Sequence, residues 1–305
     1  MAEFLGRRAL HSAIAMLSLI LFVFVIVRLS GNPALLYLPE SASDELIREF
    51  NERYGLNEPI LVQFGRYLWD IAHLDFGMSI RRHIPAIEAV VLAYPWTLFL
   101  SGITLVLSML IAMTFGPLAA YRPGSVFDRS VTVLALFAAS TPGFWLAITA
   151  ILVFAIELGW LPTSGVGGPR YWVMPVAIMM LEITGTTTQV VRGSMVTSLA
   201  SPYVKAARAK GMPERRVVFV HALRNSLIAA VTVAGDQTRG LINGAVVVET
   251  IFGWPGIGKL MIDAIVQRDF AVLQAAVLTT AFAIFLLNLI IDIIYAVLDP
   301  RIRFR

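Results

Sequence analysis

Long apolar runs alternate with shorter polar segments along the whole chain. Six runs stand out, and they cover residues 9–27, 96–120, 131–156, 172–191, 226–252 and 274–298. A helix needs about 20 mostly apolar residues to cross the hydrocarbon core, because lipid offers no partner to an unpaired backbone N–H or C=O. The pattern therefore predicts six membrane-spanning helices. We interpret the first as a retained span, with a cleaved signal peptide as the alternative, because no small-residue cleavage site follows it.

Three of the predicted spans contain internal breaks or polar groups. Pro142, between Thr141 and Gly143, predicts a kink in the third span, and the polar run 236–239 interrupts the fifth. Ionisable groups at bilayer depth are costly, so they suggest either a transport pathway or structural pairing. The candidate translocation-path residues are Glu182, Gln189, Asp236, Arg239 and Asn243. For Asp236 and Arg239, three residues apart, the alternative is a buried ion pair, and Asn243 could instead satisfy a neighbouring backbone group.

Composition narrows the class of protein. Hydrophobic residues make up 58% of the 305 positions and charged residues only 14%, whereas soluble domains contain about 25% charged residues. These fractions exclude an ordinary soluble enzyme, a disordered protein and a coiled coil. The absence of cysteine also excludes disulfides and thiolate metal ligands. The sequence thus predicts an all-α polytopic membrane protein.

The distribution of basic residues predicts the orientation in the membrane. Fourteen Lys and Arg lie in the short segments on the side of the N-terminus, and eight lie in the longer segments 30–95, 157–171 and 253–273. Cytoplasmic loops carry the excess of Lys and Arg, so both termini are expected in the cytoplasm. An even number of spans likewise requires both termini to lie on the same side of the membrane.

The segment 30–95 is then external and contains two amphipathic patterns. The first, residues 44–54, begins after Ser43, a plausible N-cap, and the second, residues 60–72, follows Pro59 at a first-turn position. We expect short helices at or above the outer membrane interface.

The cytoplasmic segment 192–225 predicts a helix, a glycine turn and a second helix. Ser201 and Pro202 form a helix start, residues 203–210 continue it, and Gly211 stands where a left-handed conformation ends it. Glu214 then restarts a helix with an acidic residue near the positive end of its dipole. The surrounding cations favour an acidic partner, but a basic loop that merely follows the positive-inside rule is the alternative.

The order of residues in this loop resembles the "EAA" loop of ABC importer permeases, most closely those for dipeptides, oligopeptides and nickel. Ala206 and Ala207, then Gly211, then His221-Ala222-Leu223-Arg224-Asn225 carry the resemblance, with Lys205 at the position of the family's leading acid. Other segments are similar to this family in the same order: residues 31–34, 54–59, 75–79, 249–258 and 299–303. The resemblance covers nearly the whole chain.

The resemblance implies a type I permease core in residues 96–305, preceded by the first helix and the external segment in residues 1–95. It implies that a coupling helix docks in a groove of a cytoplasmic ATPase. The candidate docking residues are Tyr203, Lys205, Ala206, Ala207, Gly211 and Glu214, of which Ala206, Ala207 and Gly211 match the family pattern and Lys205 departs from it. The implied partners are a second homologous permease subunit, two ATPase subunits and an extracytoplasmic binding protein, in the bacterial inner membrane. ATP and Mg²⁺ would bind those ATPases, so no cofactor and no nucleic acid is expected on this chain.

Several alternatives accompany this prediction. The same scaffold could import nickel, glutathione or another small solute, and a self-contained secondary transporter is the competitor from another class. A zwitterionic peptide would offer its ammonium to Glu182 or Asp236 and its carboxylate to Arg239. The run 253–259 matches seven positions of a phosphate-binding loop, but Leu260 replaces the hydroxyl that would hold Mg²⁺. No set of residues expected of a hydrolase converges in one span.

Overall fold

The computed structural model describes residues 2–29, 34, 38, 42–53 and 55–298. Twelve α-helices lie in these residues: α1 Ala2–Leu29, α2 Asp44–Arg53, α3 Ile60–Ala72, α4 Ala86–Tyr121, α5 Val126–Ser140, α6 Gly143–Ala150, α7 Arg170–Leu199, α8 Pro202–Ala209, α9 Glu214–Arg216, α10 Leu223–Ile251, α11 Ile257–Val266 and α12 Phe270–Leu298. Two π-helical segments, Ile151–Glu157 and Val217–Ala222, extend α6 and join α9 to α10. Of the sequence motifs, residues 31–33, Tyr54 and residues 299–303 lie outside the described part.

Each of the six predicted spans is helical, but not all of them are equally apolar. Within the described residues, three helical stretches are long and apolar enough to cross a membrane: Leu10–Leu29, Ala86–Tyr121 and Phe270–Ile291. A fourth is added if α5 and the helix that follows it count as one span. The all-helical prediction is confirmed for the described residues, and the number of six spans stays a prediction.

The break at Pro142 is larger than the predicted kink. The axes of Val126–Ser140 and Gly143–Glu157 differ by 97°. Proline has no backbone N–H and cannot continue the hydrogen-bond ladder, and the Thr141 hydroxyl instead donates to the carbonyl of Phe137 at 2.7 Å. The third predicted span is therefore two helices at nearly a right angle.

Two predicted boundaries and one predicted interruption also differ from the structure. Helix α4 begins at Ala86, ten residues before the predicted span, and α7 continues through Arg192 to Leu199. The polar run 236–239 does not interrupt α10. Within this continuous helix, the Thr238 hydroxyl donates to the carbonyl of Ala234 at 2.6 Å, so this polar group has a partner on its own helix.

The described residues divide into two compact units. The first combines Met1–Pro95 with Leu260–Ile290. In it, the Phe24 ring of α1 lies 5.2 Å from the Phe64 ring and 5.4 Å from the Tyr67 ring of α3. The Ser43 cap on α2 is confirmed, because the Leu46 N–H donates to its hydroxyl at 3.3 Å.

The second unit combines Trp96–Lys259 with Ile291–Arg305, and α7 is its central helix. Helix α7 packs on α5 along one side and on α10 along another. Gly185 permits the contact with α5, because a Cβ there would collide with the carbonyl oxygen of Ala135 and lie 2.9 Å from the backbone nitrogen of Ala139. Small residues are the usual means by which helices approach this closely in membranes.

A buried ion pair joins α5 to α7 in the same unit. Asp128 is 2% exposed, and its carboxylate accepts hydrogen bonds from Nε and Nη2 of Arg192, the latter at 2.7 Å. The Gly124 N–H donates to the same carboxylate at 2.8 Å. A paired guanidinium and a backbone donor offset the cost of removing the carboxylate from water.

Gly185→Ala should destabilise this packing. The added Cβ overlaps α5 backbone, and overpacking of this kind costs about 1–3 kcal/mol, which exceeds the gain of about 1 kcal/mol from replacing a helical glycine. Thermal unfolding of the purified protein in detergent is the measurement.

Gly193→Ala is the matched control in the same helix, because nothing lies within 4 Å of a Cβ built there. It should leave the unfolding midpoint unchanged or raise it. Equal midpoints for the two variants would contradict the tight α5–α7 contact.

Candidate functional site

The predicted helix–turn–helix is present at residues 202–216. Pro202 opens α8, and Gly211 has a φ of +74°, a conformation that L side chains rarely adopt. Ser201 does not cap α8 as predicted. Its hydroxyl instead donates to the carbonyl of Ser198 at 2.5 Å, which ties it to the end of α7.

An ion pair closes the glycine turn. Nη2 of Arg208 donates to the Glu214 carboxylate at 2.6 Å, so the last turn of α8 is joined to the start of α9 across Gly211. This hydrogen bond lowers the pKa of Glu214 below its ordinary value. Both side chains are more than a third exposed, so the pair contributes little to stability, and its effect is to define the shape of the turn.

Helix α8 has one face seated in the protein and one face exposed. Val204 and Ala207 are buried in an apolar cluster to which α4, α7, the π segment and α10 all contribute. The other members of that cluster are Ala120, Val191, Met195, Val217, Val218, Ala222 and Ala230. Tyr203, Lys205 and Ala206 are exposed. Ala207, one of the predicted docking residues, is turned towards α7 by the helical period, and its part in docking stays a prediction.

A cavity of about 280 Å³ lies beside the break between α5 and α6. Its walls come from the ends of those two helices and from the middle of α7 and α10. The lining residues include Ala138, Thr141, Phe144, Leu146, Ile178, Met179, Glu182, Gln237, Gly240 and Leu241. The π-helical segment Ile151–Glu157 follows α6, and π-helical turns occur frequently at functional sites.

A polar cluster anchors the C-terminal end of α10. Glu249 is fully buried, and its carboxylate accepts from the Thr97 hydroxyl at 2.6 Å and from the N–H groups of Gly258 and Lys259 at 2.8 and 3.2 Å. The Thr97 hydroxyl accepts from the Ile257 N–H at 2.8 Å. Two of the amides in the phosphate-loop-like run 253–259 therefore already have a carboxylate partner.

Comparison with known proteins identifies the family of this chain. The family model for the inner membrane component of binding-protein-dependent transport systems matches residues 112–304. The chain belongs to this family. The match contains the α8 turn, the lining of the cavity and Glu249, whereas Thr97 precedes it.

Relatives of this inner membrane component align along its full length. The oligopeptide transport system permease protein AppB of Bacillus subtilis is 36% identical over 100% of both chains. The dipeptide transport system permease protein DppB of Alkalihalophilus pseudofirmus and the glutathione transport system permease protein GsiC of Salmonella paratyphi A are each 34% identical over 100% of both chains. These relatives agree with the predicted branch of the family.

A solved structure shares the fold. The crystal structure of an amino acid ABC transporter with histidines superposes with a TM-score of 0.55 at 12% identity. The similarity covers 68% of this chain and 94% of that one.

The structure brings together only some of the predicted path residues of this transport component. Glu182 lines the cavity, whereas the amide of Gln189 donates to the carbonyl of Thr132 at 3.1 Å and joins α7 to α5. Asp236 is exposed but does not line the cavity. The side chains of Arg239 and Asn243 lie outside the described part of the structure, so their roles and the Asp236–Arg239 pair stay predictions.

Sequence reasoning missed three polar contacts of this protein. The sequence alone does not single out Asp128, and it shows Arg192 only among the basic residues, Glu249 only in a family motif and Gln237 only in a polar run. Gln237 lines the cavity, and its Nε2 donates to the Thr186 hydroxyl. Glu249 is an acid in an otherwise apolar stretch, and this position could have indicated a buried polar contact, because such groups need buried partners. In the described residues, no group of three or more potential ligands could hold a metal ion.

Glu249→Ala should destabilise the protein strongly. It leaves the Thr97 hydroxyl and the N–H groups of Gly258 and Lys259 without their acceptor, and each buried donor left unpaired costs about 1–3 kcal/mol. Thermal unfolding in detergent should show a large loss.

Glu157→Ala removes an exposed glutamate and should leave the midpoint near that of the wild type. If both variants unfold at the same temperature, Glu249 does not anchor this end of α10.

Proposed function

We propose that this chain is the transmembrane permease subunit of an ATP-driven importer of di- and oligopeptides in the bacterial inner membrane. It would form part of the translocation path for a substrate delivered by an extracytoplasmic binding protein. Its six helical segments would cross the membrane with both termini in the cytoplasm. Full-length similarity to permease proteins of peptide transport systems supports the substrate class.

The observation that carries this proposal is the packing of one face of α8 against the rest of the protein. Its buried side chains, Val204 and Ala207, contact a cluster that α4, α7 and α10 share, while Tyr203 and Lys205 remain accessible. A protein bound to the exposed face can therefore displace three membrane helices through one short element. A basic loop without a partner would not need a buried face of this kind.

This chain would not bind ATP itself. The force generated by ATP hydrolysis on other subunits would reach it at α8. We assign ATP and Mg²⁺ to two cytoplasmic ATPase subunits, whose closure would push on α8 and on the equivalent helix of a second homologous permease subunit. Tyr203, Lys205, Ala206, Gly211 and Glu214 form the proposed docking surface. The cations Lys205, Lys210 and Arg215 are exposed beside it, which favours an acidic groove on the ATPase.

Glutathione is the second candidate substrate. Full-length identity of 34% to a glutathione transport system permease supports it. Because glutathione is itself a small peptide with a free amino group, the two candidates make similar demands on the path. A competition assay with unlabelled glutathione against a labelled dipeptide separates them.

Reconstitution tests the proposed function directly. The complex recovered with this chain from native membranes should contain two ATPase polypeptides and a second permease subunit. In proteoliposomes with the binding protein, it should accumulate tritiated dipeptide only when ATP is inside the compartment that the ATPases face. Recovery of the chain alone, with uptake that continues without ATP, would make it a secondary carrier.

Gly211→Val should uncouple ATP from uptake. A β-branched residue at φ +74° is strained, so the turn that presents α8 would be distorted. We expect at least tenfold lower ATP-dependent uptake, with the complex still recovered intact by affinity purification.

Gly159→Val is the matched control. Gly159 also has a positive φ, +64°, and both glycines have open space where a Cβ would be. Equal losses of uptake in the two variants would point to general backbone strain and would contradict a specific role for the α8 turn.

A further inference from the structure

We infer that the cavity beside the Pro142 break is a binding subsite for the protonated amino terminus of a peptide, with Glu182 as its counter-charge. The apolar walls would hold the first side chain of that peptide. This inference rests on the proposed function and deepens it, because it assigns a substrate-reading group to the permease itself.

The composition of the walls favours a cation that carries an apolar group. Among the described residues of the lining, Glu182 carries the charge, and Thr141 and Gln237 supply polar groups. The rest is largely apolar, including Phe144, Leu146, Ile178, Met179 and Leu241. Ligand sites commonly combine such walls with a few polar groups that fix orientation. An anionic ligand would be repelled by Glu182, and no Lys, Arg or His belongs to the described lining to attract it.

Among the described residues, Glu182 differs from the two buried carboxylates of this unit, Glu249 and Asp128, in having no hydrogen-bond donor. The carboxylate of Glu249 accepts from a hydroxyl and two amides, and that of Asp128 accepts from a guanidinium and an amide. Among the described side chains and amides, none donates to the carboxylate of Glu182. A charge at bilayer depth without compensation is costly, and a bound ammonium group supplies that compensation.

Gln237 is oriented so that it adds a second acceptor. Its amino group donates to the Thr186 hydroxyl, which in turn donates to the backbone carbonyl of Glu182 at 3.0 Å. The carbonyl oxygen of Gln237 then faces Gly240, where it would lie 3.9 Å from a Cβ. An ammonium group donates three hydrogen bonds and accepts none, so two acceptors in one cavity match it.

The size of the cavity limits how much of a peptide it can bind. Specific ligand pockets occupy about 300–1,000 Å³, and this cavity, at about 280 Å³, is close to the lower limit. It has room for an amino terminus and the side chain that follows, not for an extended peptide. Asp236 is about 100° around the helix from Gln237 and is not part of the lining. The geometry therefore assigns the ammonium contact to Glu182 and not to Asp236.

The test compares two probes on the assembled, purified importer complex without its binding protein. The probes are tritiated L-leucyl-L-alanine and its N-acetylated form, which lacks the ammonium charge. Equilibrium binding to the wild-type complex should be at least tenfold tighter for the free dipeptide. Glu182→Gln should reduce this ratio to about one, and Glu182→Asp should keep part of it.

Glu157→Gln is the matched control, because it neutralises an exposed glutamate of the same unit that does not line the cavity. It should retain the wild-type ratio. The double variant with Glu182→Gln and Arg239→Gln tests whether Glu182 forms a structural ion pair with Arg239.

Four results would overturn the inference. They are a ratio near one in the wild type, an unchanged ratio in Glu182→Gln, recovery of normal uptake in the combined variant, and failure of Glu182→Gln alone to assemble with the other subunits. The last two indicate an ion pair within or between subunits. Absence of ATP-dependent dipeptide uptake by the wild-type complex would instead refute the proposed function.

Discussion

The burial of Val204 and Ala207 is the contact on which the proposed coupling depends. An eight-residue helix is too short to be stable alone, because most helical stability in proteins comes from tertiary packing. Here two side chains one turn apart hold α8 against Val191 and Met195 of α7, in a cluster that also contains α4 and α10 residues. The opposite face remains exposed, so α8 can bind a partner while its buried face stays packed. This packing connects α8 to α7 directly and to α4 and α10 through the shared cluster.

Among the described residues of the second unit, the carboxylates of Asp128 and Glu249 are buried, whereas Glu182 is exposed. Glu249 and Asp128 each accept several hydrogen bonds, and each joins segments that are far apart in sequence. Glu249 binds α4 and the start of α11 to the end of α10, and Asp128 binds α5 to α7. Removing a carboxylate from water is offset only by such complete pairing. Glu182 lacks this compensation among the described residues, so its charge is suited to a transient partner, which is what a transported cation is.

Local rules predicted the parts of the fold that local residues determine. The Ser43 cap, proline at the first position of α8, the left-handed Gly211 and the restart at Glu214 all depend on neighbours within a few residues. The hydrogen bonds that connect Asp128 to Arg192 and Thr97 to Glu249 bridge 64 and 152 positions, so no local pattern specifies them. The inward orientation of Ala207 and the 97° bend at Pro142 likewise depend on packing partners. The sequence therefore predicted the candidate docking turn better than the cavity.

Helix α7 connects the docking turn to the cavity. Val191 touches the seat of α8, and Glu182 lines the cavity nine residues earlier on the same helix, roughly 13 Å away at 1.5 Å per residue. Gly185 lies between them and holds α7 against α5, whose end forms another cavity wall. Because an unbroken helix moves nearly as one body, a shift of α8 that tilts α7 must change the distance between Glu182 and the residues around Pro142. The carboxylate that would bind the substrate and the helix that would receive the force are thus mechanically coupled, and binding and release can depend on the same motion.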